Sequence, residues 1–269
     1  MSTPMQLLAD RLDLGGLDRD AALTEALLLL DGEERIKQTQ SSLAYPTIRA
    51  MIAKWRLAPG SMINEKELMD QTGFGRTPIR EALLRLSAER LVVFSPSREI
   101  RVAPVDLTEV RDLYEVRLQT DRLVARLCLE NMSEEQKSLI IGAFDGCDRL
   151  IEQDDHVSIF YRDFRYHTMM YKASGNSMLR SIHTHMLGHF FRLAYFSFFH
   201  NGDPDRDSMQ DLVTSHDRMI DAMRRSSVEE LDRVTADHTV GSYRHVVNLL
   251  AGDRMGMIRD LTVGPMPDN

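Results

Sequence analysis

The chain has 269 residues, 43% hydrophobic and 28% charged, a balance that excludes collagen-like, low-complexity and disulfide-scaffold proteins. Its two cysteines, Cys128 and Cys147, cannot staple so long a chain and read as small buried residues of a reducing compartment. No apolar run approaches the roughly 18 residues of a membrane helix, and a basic start for a signal peptide is missing, so a cytoplasmic protein without a membrane partner is expected.

The net charge of −8 argues by itself against a nucleic-acid binder, but the charge is uneven. Residues 1–40 carry 4 basic and 8 acidic side chains, residues 41–104 carry 10 and 6, and residues 105–269 carry 19 and 27. A basic island thus lies between two acidic segments. It holds the only tryptophan, Trp55, whereas all nine histidines lie beyond residue 155. Two domains with two jobs are the natural expectation.

Residues 1–40 read as an acidic N-terminal extension with one short amphipathic helix over 21–30, either a simple extension or an arm against the body or a partner subunit. From Ser42 to Trp55 the spacing of Leu43, Ile48, Ile52 and Trp55 predicts a helix, and Ala58-Pro59-Gly60 a turn. Asn64 is a good N-cap, with Glu67 three residues on, for a second helix ending near Thr72-Gly73. Thr77 is the expected cap of a third helix, with Pro78 at its first position and a core face of Ile79, Ala82, Leu83 and Leu86, running to about Arg90. Residues 91–94 and 100–103 are short strands around a turn. Three helices and a hairpin over residues 41–104 make a winged helix-turn-helix.

After a linker at 104–106 the pattern is helical, with helices expected near 107–130, 133–153, 155–173, 176–199, 208–225 and 227–250. The predicted fold is therefore mainly α: the winged domain, then an antiparallel six- to seven-helix bundle over residues 105–255, for ligand binding and dimerisation, and a tail over 256–269.

Two constellations carry chemistry. Arg76 and Arg80 sit four apart at the start of the third helix, and with Ile79 inward, Arg80 turns about 100° off the core face toward solvent. An HTH reader helix presents such positions to base edges, where Arg takes guanine O6 and N7. Thr77, Lys66 and Arg49 are the expected phosphate contacts. The alternative is an ordinary solvated amphipathic helix. The second constellation is Asp163 and His167, four apart on one helix, with His216 and His238 on the fifth and sixth bundle helices. Three imidazoles and a carboxylate converging in a bundle core hold a divalent cation. Taken one by one, a surface ion pair and hydrogen-bonded histidines explain the same residues.

The stretches Ala58-Pro59-Gly60, Asn64-Glu65-Lys66-Glu67-Leu68, Gly75 to Leu83 and Ala103-Pro104 resemble the GntR family of bacterial transcription regulators over residues 43–104 without a gap. The resemblance implies DNA contacts at Lys66, Arg76, Thr77 and Arg80. The chain departs from the family in three places. Gly75 stands where Ser or Thr is common, Arg90 where Gly is common, and Glu99 where the wing tip usually carries Gly. A carboxylate there repels phosphate, so Arg98 and Arg101 would have to supply the wing's contact.

The bundle resembles the family's FadR-like ligand domain: Asp163-x-x-x-His167 before Ala173-Ser174-Gly175-Asn176, then Ser215-His216 and Asp237-His238. The resemblance implies Asp163, His167, His216 and His238 as ligands of a divalent metal, zinc first and nickel or another transition ion next. Members without this set bind acyl-CoA, which is not expected here. Arg117, within Glu115-Val116-Arg117, matches an arginine near the family's cavity and suits a small carboxylate effector. Its alternative is a salt bridge within the bundle. His183, His185 and His189 fall on the fourth bundle helix; His185 and His189 form a rival i, i+4 pair, and these histidines, His185 first, are further candidates for the cavity lining, with solvated or core histidine as the alternative. The aromatic run from Phe190 to Phe199 reads as core or dimer surface rather than a cofactor box.

These readings converge on a ligand-responsive transcription regulator, a repressor that binds a palindromic operator in double-stranded DNA as a homodimer and senses a small organic acid at a metal, in the bacterial cytoplasm in association with the nucleoid. A metal-ion sensor is the second reading. A metalloenzyme is the third, and it lacks support: no H-E-x-x-H and no Ser or Cys nucleophile signature is present, so no catalytic residue is expected.

Overall fold

The computed structural model describes residues 39–97, 99–199 and 206–252. The expected leader helix, the C-terminal tail and Arg98 lie outside the described residues. The fold is mainly helical, with a winged helix-turn-helix ahead of a helical body.

Helix α1 spans Gln40–Ala53 and opens on a reciprocal capping box between Thr39 and Ser42. Helix α2 spans Glu65–Thr72; Asn64 Oδ1 accepts from the N–H groups of Lys66 and Glu67, and the helix stops at Gly73, whose φ of 72° suits glycine. Helix α3 spans Arg76–Ala88 and departs from expectation at its start. Its N-cap is Gly75, not Thr77, and no side chain caps it. Gln40 instead accepts the Gly75 N–H at 3.1 Å, tying the start of α1 to the start of α3. Pro78 is tolerated because the first-turn N–H groups of a helix lack intrahelical partners in any case.

Helix α3 ends in a Schellman turn. Arg90, at φ 60°, donates its N–H to Ser87 O at 3.0 Å, and Leu91 donates to Leu86 O at 2.9 Å. The chain then enters strand β1, Val92–Phe94, which pairs antiparallel with β2, Ile100–Val102, in the register Val93 opposite Arg101. Ile48, Ile52, Ile79, Leu83 and Leu86 are completely buried in the small core between α1 and α3. Truncating any one of them to Ala would cost about 2–5 kcal/mol, a large share of what a domain this small has.

Seven helices form the described body: α4 (Leu107–Asn131), α5 (Glu134–Gly142), α6 (Cys147–Glu152), α7 (His156–Ala173), α8 (Ser177–Phe199), α9 (Arg206–Arg224) and α10 (Val228–Gly252). The single helix expected over 133–153 is two. Gly146, at φ 78°, breaks it in the left-handed region, and Cys147 starts a new helix. The other punctuation follows local chemistry: Ser133 and Gln136 form a capping box, Gly175 turns at φ 71°, and Asn176 accepts from Met178 and Leu179. Both cysteines are free and buried, and no described helix is long and apolar enough to cross a membrane.

Helix α8 joins the two parts. One face packs on the winged domain, where the Trp55 indole donates to Arg192 O at 3.0 Å and stacks on Phe196 at 4.4 Å. Arg192 donates to Ala103 O at 2.9 Å, and His189 Nε2 donates to Glu89 O at 2.7 Å. Gly188 sits at the closest approach: a Cβ there would lie 2.7 Å from Leu91 Cδ1.

Candidate nucleic-acid interface and metal centre

The N-terminal turn of α3 and the start of α2 form one exposed edge of the winged domain. Lys66, Arg76, Thr77 and Arg80 are all exposed there, free of the core formed by Ile79 and Leu83 one helical face away. Arg80 Nε lies 2.9 and 3.1 Å from the two carboxylate oxygens of Glu65, so the arginine expected at a base edge is held by an acid from the preceding helix. In the wing, Arg101 is exposed but leans on Glu99 at 3.2 Å and on Gly60 O at 3.3 Å.

Arg49 requires a correction. Expected at a phosphate, it is only 2% exposed: Nη1 donates to the Tyr45 hydroxyl at 2.7 Å, and its Nε lies on Gly188 of α8. Its phase on α1 points at the helical body, and its guanidinium belongs to the contact between the two parts.

In the body, α7, α9 and α10 bring one donor atom each from Asp163, His167, His216 and His238 within 4.8 Å of one another. Their tautomers follow from hydrogen bonds. His216 Nδ1 faces the Leu212 carbonyl at 2.9 Å; a carbonyl only accepts, so Nδ1 carries the proton. Ser215 Oγ also donates to Leu212 O, at 2.8 Å, and therefore accepts from His238 Nδ1 at 2.9 Å. Both rings thus turn a bare Nε2 away from Leu212.

The consequence is a conflict that a cation resolves. His216 Nε2 lies 3.0 Å from Asp163 Oδ1, and neither buried atom has a hydrogen-bond partner. A lone pair and a carboxylate oxygen at that distance repel unless a positive charge sits between them. Burial pushes the His216 imidazolium pKa down, partly offset by Asp163, and pushes that of His238 well below its ordinary value, reinforced by His216, His167 and Arg117. The donor set, one carboxylate and three imidazoles with oriented outer partners, fits a divalent transition ion.

A cavity of about 490 Å³ opens beside this cluster, lined by Arg117, Asp163, His167 and His238 at one end. Arg117 Nη2 reaches to 3.5 Å from His167 Nε2 while its Nε holds Asp121 Oδ2 at 3.0 Å. Asp121 also accepts from Tyr171 Oη and Thr239 Oγ1. The salt-bridge and cavity readings of Arg117 therefore both apply. His185 is exposed and does not line the cavity, and His189 is spent on Glu89. His183, two residues before His185 on α8 and so on a different face, lines it instead, stacked on Tyr171 at 4.3 Å and 3.2 Å from Thr168 Oγ1. Asp121 stands four residues after Arg117, a spacing that could have marked it as the partner. The selection of His183 over His185 depends on the rotation of α8, which no local motif reveals.

The family described as bacterial regulatory proteins, gntR family, matches residues 40–102, and the FCD domain matches residues 112–241. The chain belongs to the GntR family, in its FCD subgroup. Among similar GntR relatives, the HTH-type transcriptional regulator YdhC of Bacillus subtilis is 21% identical over 77% of this chain and 90% of its own. The HTH-type transcriptional repressor RspR of Escherichia coli is 22% identical over 77% and 89%. Two solved structures share the fold: E. coli McbR/YncC, with a TM-score of 0.61 at 17% identity over 79% of this chain and 99% of that one, and a putative GntR regulator from Rhodococcus, with a TM-score of 0.63 at 14% identity over 78% and 99%. As a GntR-family protein with an FCD effector-binding domain, the chain is a DNA-binding transcription regulator and not an enzyme.

Proposed function

We propose that this regulator is a repressor that binds a palindromic operator as a homodimer in the bacterial cytoplasm and is released by a small carboxylate effector. Lys66, Arg76, Thr77 and Arg80, with Arg101 and Arg98 from the wing, would meet the DNA. Asp163, His167, His216 and His238 would hold a divalent ion, zinc in the first instance. Such an ion supplies a Lewis-acidic anchor for an anion, and Arg117 supplies a second positive group beside it. The observation that carries the reading is the unrelieved approach of His216 Nε2 to Asp163 Oδ1 at 3.0 Å beside a cavity of about 490 Å³. That volume also favours a metabolite over the ion alone as the signal, because a pure metal sensor needs no adjoining cavity.

His167→Ala and His238→Ala test it together. Each should lose bound metal and effector response while operator binding persists, since the winged domain has its own core. Metal analysis, size-exclusion chromatography and a DNA-binding assay on one preparation read all three. Full retention of metal would refute the site. Loss of metal with loss of the dimer would make the ion a structural staple.

A further inference from the structure

The charges and the wall of the cavity narrow the ligand beyond a small carboxylate. This step rests on the effector reading above. The charged side chains at the inner end are the half-buried Arg117 and the buried Asp121 and Asp163, one cation against two carboxylates. Alone, that end is net −1 and repels any anion. With a divalent cation on the four donors, and imidazoles that bind it in neutral form, it becomes net +1. His183 adds no charge at neutral pH, since burial pushes its pKa down to about 3. The mouth carries Asp211 and Asp237 against Arg218 and Arg233, which balance, and Arg233 and Asp237 are exposed and paired with each other at 3.1 Å. One negative charge on the ligand therefore neutralises the interior. A second would be buried without a partner, at a large cost.

The wall gives the rest of the ligand. Leu187, Phe190, Ala194 and Phe198 line the cavity from α8 at spacings of three and four, one apolar stripe on one helix face. Over eleven residues it runs about 16 Å. Phe164 of α7 adds a further apolar side. A two- or three-carbon acid anchored at Arg117 would leave most of this stripe uncovered.

We propose that the effector is a singly charged carboxylate with an apolar chain or ring, its carboxylate at Arg117 and the four-donor cluster and its body along Leu187, Phe190, Ala194 and Phe198. The test is calorimetric titration of the full-length, zinc-loaded protein with butanoate, hexanoate and hexanedioate, with zinc content measured on the same samples. Hexanoate should bind about tenfold more tightly than butanoate, because each buried methylene contributes about three- to fourfold. Hexanedioate, of equal length, should bind at least tenfold more weakly than hexanoate. Zinc-stripped protein should bind none of the three. Ala194→Phe, which fills the stripe away from the metal donors, should keep its zinc and lose at least tenfold in hexanoate affinity. Hexanedioate binding as tightly as hexanoate, no dependence on chain length, or retained zinc with no acid bound would each overturn the inference and leave the metal site standing. Failure to retain zinc at all would instead overturn the reading on which it rests.

Discussion

Arg80 and Glu65 are held together across two helices: the Arg80 Nε is within 3.1 Å of both Glu65 oxygens, on the exposed edge where α3 would enter a groove. To reach a guanine, the guanidinium must leave that carboxylate. Arg80→Ala should lower operator affinity by about 1–3 kcal/mol and relax base preference at one position per half-site. Glu65→Gln should raise affinity for random DNA more than for the operator, narrowing the ratio between them. Titrations of both variants on operator and scrambled duplexes check this, and an equal loss on both duplexes for Arg80→Ala would mark a phosphate contact.

Glu99 acts twice in the wing. It holds Arg101 at 3.2 Å, and on the proposed docking it would bring a negative charge toward the DNA backbone. Glu99→Gly removes the repulsion and frees the arginine, so binding should strengthen on every sequence, and the gain should shrink as salt rises. A salt series from about 50 to 200 mM resolves it; unchanged affinity at the low end would mean that the wing stays off the DNA.

Ser215 orients His238, one of the four proposed metal donors, from outside that donor set. Its hydroxyl relays the Leu212 carbonyl to His238 Nδ1. Ser215→Ala leaves Nδ1–H without an acceptor and lets the ring turn or change tautomer, and zinc affinity should fall about 10- to 100-fold. Competition with a chromophoric chelator measures it. The same variant should bind operator normally, and an unaltered zinc constant would show that the ring is held by packing alone.

The contact between the two parts should weaken in acid. Burial pushes the His189 pKa down from 6.5 to about 4, with Arg192, His185 and Arg49 adding in the same direction against the Glu89 hydrogen bond. Between those values the unfolded chain takes up a proton that the folded one refuses. The stabilisation is thus complete above pH 6.5 and is lost progressively down to about 4. At about 1.4 kcal/mol per unit, this histidine contributes up to roughly 3 kcal/mol to the slope. Melting temperatures of His189→Gln and the parent at pH 7 and 4.5 test it; the variant should show the shallower fall.

The winged domain was legible because its signals are local: the Asn64 cap, the i, i+3, i+4, i+7 core face of α3 and the strand pair all lie within a few residues of what they determine. Asp163 and His167 were legible for the same reason, and His216 and His238 only through the family's order of motifs. What escaped was set by packing. Thr77 lost the cap of α3 to Gly75 because the Gly75 carbonyl already accepts the Ile79 N–H at 3.3 Å, while Gln40, 35 positions away, holds the Gly75 N–H. Arg49 looks like any exposed basic residue until α8 covers it. The break at Gly146 had a local sign, an Asp-Gly pair, which the apolar periodicity on either side outweighed.

Helix α8 has its two faces committed to different tasks. Leu187, Phe190, Ala194 and Phe198 line the cavity, while Gly188, His189, Arg192 and Phe196 carry the winged domain. At Gly188 a methyl group would lie 2.7 Å from Leu91 Cδ1, so the helix and the winged domain are in close contact there. A body settling against one side of such a rod shifts what is fastened to the other. Linkage then runs both ways: whatever factor the effector takes from operator affinity, a bound operator must take from effector affinity. On the proposed repressor reading, the concentration of effector that would empty a promoter is a property of the protein already seated on DNA, and it would lie above the one measured on the free regulator.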